Sequence, residues 1–131
     1  MELKQLVANL WADMHNQNWD NLSEYFSGDA VIRFHDTNEQ LDRDEFVSLN
    51  AQFPGGWSIE VERLIQAEDT VISVVKVTPR DDPDSKLDSY YTTSFFEFGD
   101  GKIIKLDEYW CICGAPPEEW REGTQIGKPI R

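Results

Sequence analysis

Glu108 is the residue whose position in this sequence suggests chemistry most directly. It lies two residues from Leu106 and two from Trp110 in a run of β-forming residues, and side chains two apart on a strand share one face. A carboxylate between two large apolar side chains loses water, which raises its pKa toward the range of a general acid or base. The alternatives are an ion pair with Arg33 or Lys105, or a rim position in water.

A second carboxylate and a histidine, Asp36 and His35, end the first predicted strand. Neighbouring strand residues point to opposite faces, so parity with an inward Phe34 places Asp36 inside and His35 outside. An inward Asp36 could form a carboxylate pair with Glu108, in which one group acts as acid and the other as base. The predicted catalytic residues are therefore Glu108 and Asp36, with His35 as the less favoured alternative. The simpler interpretation of Asp36 is a residue that starts a turn.

Aromatic and hydroxyl side chains at inward positions predict the wall of an apolar pocket. Flat or ring-shaped ligands pack against aromatic side chains, and a few polar groups fix their orientation. Thr92 shares the inward parity of Ser94 and could also bond a ligand. An aromatic stripe is more often plain core. The predicted ligand-binding residues are Phe34, Phe53, Trp57, Ser94 and Trp110.

Metal and cofactor chemistry are not indicated by the sequence. The histidine and carboxylates named above lack the paired spacing of metal ligands. Gly55-Gly56 joins a helix to a strand and does not form a phosphate-binding loop. Cys111 and Cys113 lie side by side on one strand face, which disfavours a disulfide, and no second Cys/His pair accompanies them for zinc. We therefore predict no metal and no cofactor.

Length, composition and charge limit the class of protein. A chain of 131 residues with 40% hydrophobic content can form one domain with its own core, here residues 1–131. Its formal net charge of −13 disfavours nucleic acid and anionic membranes as partners, since both require basic surfaces. No apolar run approaches the roughly 20 residues of a membrane-spanning helix, and the N-terminus lacks a signal-peptide core. We expect a cytoplasmic protein.

Hydrophobic periodicity predicts helices first and strands afterwards. A first helix covers about residues 2–17, and a short second helix carries Trp19, Leu22 and Phe26 on its apolar side. A strand follows at about 30–36. Asp42 can then cap a third helix, with Glu45 in the capping-box position and an apolar stripe of Phe46, Leu49 and Phe53. Four more strands are expected at about 57–68, 70–79, 87–98 and 102–113.

This order of elements predicts an α+β domain with a curved antiparallel sheet packed against three N-terminal helices. Three helices cannot cover both faces of such a sheet, so one face meets water, another protein or a second copy of the chain. We expect a homodimer through that sheet face. The apolar tail, residues 114–131, is expected to pack on the domain or on the dimer partner.

Three short motifs accompany this order of elements. They are Asn16-Gln17-Asn18-Trp19-Asp20 between helices, Phe26-Ser27-Gly28-Asp29-Ala30 before the first strand, and Asp100-Gly101-Lys102-Ile103 with Tyr109-Trp110 at the end. Over residues 2 to about 113 the chain thereby resembles the nuclear-transport-factor-2-like superfamily, in its SnoaL-like (polyketide-cyclase-like) branch. The resemblance implies a cone-shaped fold and a function as a small-molecule pocket protein.

Functional residues of the superfamily transfer only in part. The oxyanion tyrosine of ketosteroid isomerases falls on Leu10, their general base on Phe34, and their protonated aspartate near Thr93 or Ser94. The chain is therefore not expected to be a ketosteroid isomerase, although the resemblance implies that Trp110 faces inward. An acid/base enzyme of isomerase, cyclase or dehydratase type, acting on a hydrophobic organic substrate, is one hypothesis. The alternative is a non-catalytic ligand-binding domain or a homodimerising adaptor.

Overall fold

The computed structural model describes residues 2–52, 56–80, 89–114, 126–128 and 130. Three α-helices, one 3-10 turn and six strands follow one another along these residues. The helices are α1 (Leu3–His15), α2 (Trp19–Leu22) and α3 (Arg43–Ala51), with the 3-10 turn at Ser23–Tyr25. The strands are β1 (Phe26–Phe34), β2 (Glu39–Leu41), β3 (Trp57–Ala67), β4 (Thr70–Pro79), β5 (Tyr90–Gly99) and β6 (Lys102–Ile112).

The six strands form one sheet in the order β2-β1-β6-β5-β4-β3. The predicted α+β class with three N-terminal helices is confirmed. The sheet is mixed, however, because β1 and β6 run parallel while all other pairs are antiparallel. Local sequence patterns carry no information on the direction of two strands about 70 residues apart, so this pairing could not be predicted. The short β2 was also missed.

Helix α1 covers the inner face of the sheet. Its buried residues Val7, Leu10, Trp11 and Met14 recur at the spacing of one helical face. The helix packs mainly against β3 and β4, and the Trp11 ring meets the edge of Phe96 with ring centroids 6.2 Å apart. The inner face of the sheet is therefore the core side, as the sequence predicted.

Strand register brings three polar residues into one row across this inner face. Ser73 of β4 pairs with Ser94 of β5, which pairs in turn with Glu108 of β6. A tight turn, with Asp100 and Gly101 both at positive φ, starts the β5–β6 register, as in the turns that suit hairpins. A bulge between Glu97 and Phe98 then shifts the pairing by one residue, so that Ser94 meets Glu108. The row thus depends on the turn and on this bulge together.

Two local details differ from the sequence predictions. Phe26 begins β1 and does not extend the second helix. The capping box of Asp42 and Glu45 forms as predicted, but the apolar side of α3 is rotated. Phe46 is buried and Val47 packs on the core, whereas Leu49 is 46% exposed.

Part of the predicted organisation falls outside the described residues. Phe53 is one such residue, and most of the tail from 114 to 131 is another. Among the helices that the structure describes, none is long and apolar enough to cross a membrane.

Candidate functional site

Strand β6 places Glu108 on the inner face of the sheet. Leu106 and Glu108 are each only 1% exposed, while Asp107 and Tyr109 between and beyond them point to the outer face. Ser94 of β5 lies opposite Glu108 on one side, and Phe34 of β1 lies opposite on the other. Three strands thus enclose one carboxyl group, as strand alternation predicted.

Two side chains hydrogen-bond the Glu108 carboxyl. The Ser94 hydroxyl donates to Glu108 Oε2 over 2.8 Å, and the Trp110 indole is the second hydrogen-bonding partner. Among the described residues, neither an ion pair of Glu108 nor a rim position in water is found. The carboxyl is buried, Arg33 lies opposite Asp107 on the outer face, and Lys105 lies near Glu97 and Asp107 on that same face.

Burial dominates the electrostatics of the site. Loss of water raises the pKa of the Glu108 carboxyl from 4.5 to about 7. The hydrogen bonds from Ser94 and Trp110 oppose this rise, and the negative charge of Asp36 adds to it. A carboxyl group with such a pKa is present in both protonation states near neutral pH, so it can accept or release a proton there.

Further hydroxyl groups lie next to Ser94 on the inner face. Ser73 is fully buried and accepts a hydrogen bond of 3.1 Å from Trp11 Nε1. Thr92 is also fully buried, two residues from Ser94 on β5. Ser73 was not predicted as a site residue, although it is the one hydroxyl at an inward position of the apolar run from Val71 to Val75.

An aromatic group lies at one end of the inner face. Tyr90 stands edge-on to Trp57 and to Trp110, with centroid distances of 6.1 and 5.9 Å. All three rings are half-buried, and Ile112, beyond Trp110 on β6, is 61% exposed. Exposure therefore increases along the strands from Glu108 toward this end. Tyr90 was missed by the sequence analysis because its neighbours come from other strands.

The predicted site residues differ in how close the structure places them to Glu108. Phe34, Ser94 and Trp110 lie around Glu108, and Phe34 also packs against Phe46 at a centroid distance of 6.1 Å. The prediction that Asp36 points inward is wrong, because β1 ends at Phe34 and strand parity no longer applies at Asp36. Asp36 is exposed in the turn before β2, as the simpler interpretation had it, and acts on Glu108 through its charge.

His35 lies on the opposite face of the sheet. Its Nε2 is 2.7 Å from Asp107 Oδ1, and its ring stacks on Tyr109 with centroids 4.4 Å apart. His35 is therefore not brought together with Glu108.

Other candidate features do not include Glu108. A surface concavity of about 580 Å³ lies between β2 and α3 and contains the acidic side chains of Glu39, Asp44 and Glu45. Across the described part of the chain, no three His, Cys, Asp or Glu side chains are arranged to hold a metal ion.

Residues 7–106 match the family model of the SnoaL-like domain, which covers most of the sequence. The chain belongs to the SnoaL-like family. The resemblance drawn from its short motifs is thereby confirmed. No curated protein sequence matches the chain.

Solved structures share the fold of this SnoaL-like domain. A Kribbella flavida DSM 17836 protein assigned as a ketosteroid isomerase superposes with a TM-score of 0.78 at 20% identity, covering 96% of this chain and 89% of that one. An NTF-2 like protein of unknown function from Burkholderia xenovorans LB400 gives 0.74 at 21% identity, with 94% of each chain covered. An LEH-like epoxide hydrolase from M. tuberculosis gives 0.68 at 14% identity, covering 82% and 80%. Because the sequence identities are this low, the structural matches establish only that the chain shares their fold.

The SnoaL-like match ends at residue 106, two residues before Glu108. Family membership therefore accounts for the helices and most of the sheet, whereas the role of Glu108 and Trp110 has to be argued from their geometry. The described geometry offers a buried carboxyl, two hydrogen-bonding partners and an aromatic group at one end of the sheet.

The raised pKa of Glu108 predicts a specific pH dependence of stability. Between pH 4.5 and about 7 the folded chain holds a proton that the unfolded chain has released, so the free energy of unfolding falls as pH rises through this window. The contribution of this one group amounts to about 3 kcal/mol. Glu108→Gln removes it, so the variant should gain about that much stability relative to wild type between pH 4 and 8 in chemical denaturation.

Glu68→Gln is the matched control, since it makes the same change at an exposed turn residue. The free energy of unfolding of Glu68→Gln should depend on pH in the same way as that of wild type. A constant difference between Glu108→Gln and wild type across the pH range would show that Glu108 ionises as easily in the folded chain as in the unfolded one.

Proposed function

We propose that this SnoaL-like domain binds a small hydrophobic organic molecule and moves a proton on it, with Glu108 as the general acid or base. The observation that carries the proposal is a carboxyl group only 1% exposed, bonded by Ser94 and Trp110, whose pKa is raised to about 7. Groups of this kind are concentrated at functional sites, because an uncompensated buried carboxylate is costly to a fold that gains nothing from it.

The geometry of Glu108 suits proton transfer to a bound molecule. A carboxylate has about four positions at which it can accept a hydrogen bond, and Ser94 and Trp110 occupy two of them. The remaining positions can receive a proton from a substrate. The Ser94 hydrogen bond also limits rotation of the carboxyl, so the group is already oriented before a ligand enters.

Asp36 is proposed as the partner of Glu108. It is exposed, and its charge reaches Glu108. A buried carboxyl and an exposed one have different environments, which is the arrangement that allows one to act as acid and the other as base. In this proposal Asp36 exchanges the proton with solvent.

The proposed ligand is apolar and ring-shaped. Phe34, Trp57 and Trp110 would contact it with Ser94, and Phe53 belongs to the same proposal although it lies outside the described residues. Tyr90 joins them because it links Trp57 and Trp110. The reaction would be of isomerase, cyclase or dehydratase type. That proteins of this fold include one assigned as a ketosteroid isomerase and an epoxide hydrolase supports acid/base chemistry on organic substrates.

A ligand-binding domain without catalysis is the second candidate. It is favoured by the apolar residues Leu10 and Phe34 at the positions where the sequence resemblance locates the catalytic groups of ketosteroid isomerases. Both candidates predict that the protein binds a small hydrophobic molecule, but only the first predicts that it catalyses a reaction on that molecule.

Proton transfer is tested by deuterium incorporation. Cyclic ketones in D₂O exchange the hydrogens next to their carbonyl group, and one-dimensional NMR follows the exchange. Wild type should accelerate it for at least one ketone of a panel, and Glu108→Gln should lower that rate by about 100-fold or more, as expected for loss of a general base. Glu97→Gln, the same change on the outer face of β5, should behave as wild type. Binding without any acceleration would favour the second candidate.

We also propose that two copies associate through the outer face of the sheet. The chain carries a net charge of −13, yet the strands carry no excess of acidic side chains on this face. The basic residues are Arg33, Arg63, Lys76, Lys102 and Lys105, and the acidic residues are Glu60, Glu62, Glu97 and Asp107. A face without excess negative charge allows two acidic chains to meet without the repulsion that the rest of the surface would cause.

Apolar groups on the same face support a second copy as the occupant. Tyr109 is 46% exposed and meets the edge of Phe95 at a centroid distance of 5.9 Å, beside a groove of about 300 Å³. We also propose that the tail, residues 114–131, packs on the single domain of residues 1–131 or on its partner. Ile126 and Ile130 are 78% and 93% exposed, which favours the partner. The free thiols of Cys111 and Cys113 support a cytoplasmic location.

The dimer is tested by light scattering coupled to size-exclusion chromatography at micromolar concentration. Wild type should show twice the chain mass of 15.2 kDa. Tyr109→Asp places a charge in the proposed interface and should give the single-chain mass. Leu49→Asp is the matched control, because Leu49 is also 46% exposed but lies on α3. A wild-type mass of one chain would contradict the proposal.

A further inference from the structure

Thr92 carries a buried hydroxyl group that has no hydrogen-bond partner among the described residues. The residue is fully buried. Among the side chains that the structure describes, its Oγ1 is the only buried oxygen or nitrogen without a partner. Native proteins leave few such groups unpaired, so each one calls for a physical explanation.

Structure alone gives no reason for a hydroxyl at this position. Thr92 faces inward between Val75 of β4 and Trp110 of β6. Valine has nearly the same shape as threonine and carries no group that must be bonded, so it would fill this place without the cost of an unpaired donor. Since no described residue bonds it, a partner from outside the chain would account for this hydroxyl.

The position of Thr92 relates it to the proposed reaction site. Thr92 and Ser94 are two residues apart on β5, which separates their side chains by about 7 Å along one face of the strand. Ser94 bonds the Glu108 carboxyl, and Trp110, the cross-strand neighbour of Thr92, bonds it too. Thr92 and its cross-strand neighbour Trp110 thus follow the Ser94–Glu108 pair along the two strands, on the side nearer to the aromatic group of Trp57, Tyr90 and Trp110.

We propose that the Thr92 hydroxyl is a specificity-determining contact that binds a second oxygen function of the substrate, about one ring width from the atom that reacts at Glu108. This inference rests on the proposed function, since it takes Glu108 as the reacting group. The substrate class is a compact, uncharged cyclic molecule with two oxygen functions at opposite ends of a ring. A hydroxyl both donates and accepts, so the distal function is a carbonyl or a hydroxyl.

The charge of the site excludes an anionic substrate from this class. Asp36 and Glu108 would both repel a carboxylate or phosphate, and the chain as a whole carries −13. Access to Thr92 requires motion of the neighbouring Tyr90 and Trp110 rings. Both rings are half-buried, so the proposal requires one of them to change rotamer when the ligand enters.

The test compares two ketones on wild type and on Thr92→Val. Cyclohexane-1,4-dione has the second oxygen function, and cyclohexanone lacks it; binding is followed by the NMR shift of the Glu108 carboxyl carbon. Thr92→Val should weaken binding of the dione by about 10-fold and that of cyclohexanone by less than twofold, because only the dione loses a hydrogen bond. Thr92→Ser keeps the hydroxyl and should retain most of the affinity for the dione.

The outcomes separate this inference from the proposed function. Equal losses for the two ketones, or no loss for either, would overturn the role of Thr92 and leave Glu108 as proposed. If neither ketone shifts the Glu108 signal of wild type, the proposed function fails and the inference with it.

A readout without ligand completes the test. In the free protein Thr92→Val should raise the midpoint of chemical denaturation, since it removes an unpaired buried group. A lower midpoint would mean that the hydroxyl already has a partner in the free chain, such as a buried water, and would contradict the inference.

Discussion

The rest of this structure depends on a carboxyl group that strand geometry holds inside the sheet. Glu108 cannot turn outward unless β6 shifts by one residue, and such a shift would expose Leu106 and bury Asp107. The β5–β6 turn and the packing of Leu106 in the core prevent it. The fold therefore accepts the cost of burying Glu108, and the Ser94 and Trp110 hydrogen bonds only partly offset that cost.

One strand serves two different surfaces because its side chains alternate. On the inner face, β6 contributes Glu108 and Trp110 beside the hydroxyls of β4 and β5. On the outer face it contributes Asp107 and Tyr109, which hold His35. Of the two titratable residues that follow β1, His35 lies on the outer face, whereas Asp36 is exposed in the turn before β2. A proposal for chemistry inside the sheet and one for association outside it can thus both hold, since they use different residues of the same strand.

Features with a local cause could be predicted from the sequence. The periodicity of α1, the capping box at Asp42 and the turn at Asp100 and Gly101 all depend on neighbouring residues, and each is found where it was expected. The inward position of Glu108 also followed, since strand parity is local. Features that depend on distant contacts could not be predicted. The parallel β1–β6 pair joins strands that are remote in sequence.

The same distinction explains which site residues were missed. Ser73 and Tyr90 join the site through their registers with other strands, and bulges such as those at Val61/Arg63 and Glu97/Phe98 alter these registers in ways that no single strand reveals. Leu49 fits the helical spacing of α3 but lies on its exposed side, because Phe46 and Val47 determine how that short helix packs.

The central claim is that Glu108 is a desolvated acid within the folded chain, and direct titration of its side chain tests it. Carbon-13 NMR of the glutamate carboxyl carbons, with the Glu108 signal assigned by comparison with Glu108→Gln, gives the midpoint of ionisation. The account predicts a midpoint near 7. A midpoint near the ordinary value of 4.5 would contradict it, since it would mean that water reaches the carboxyl group and that Glu108 has no special acid-base character.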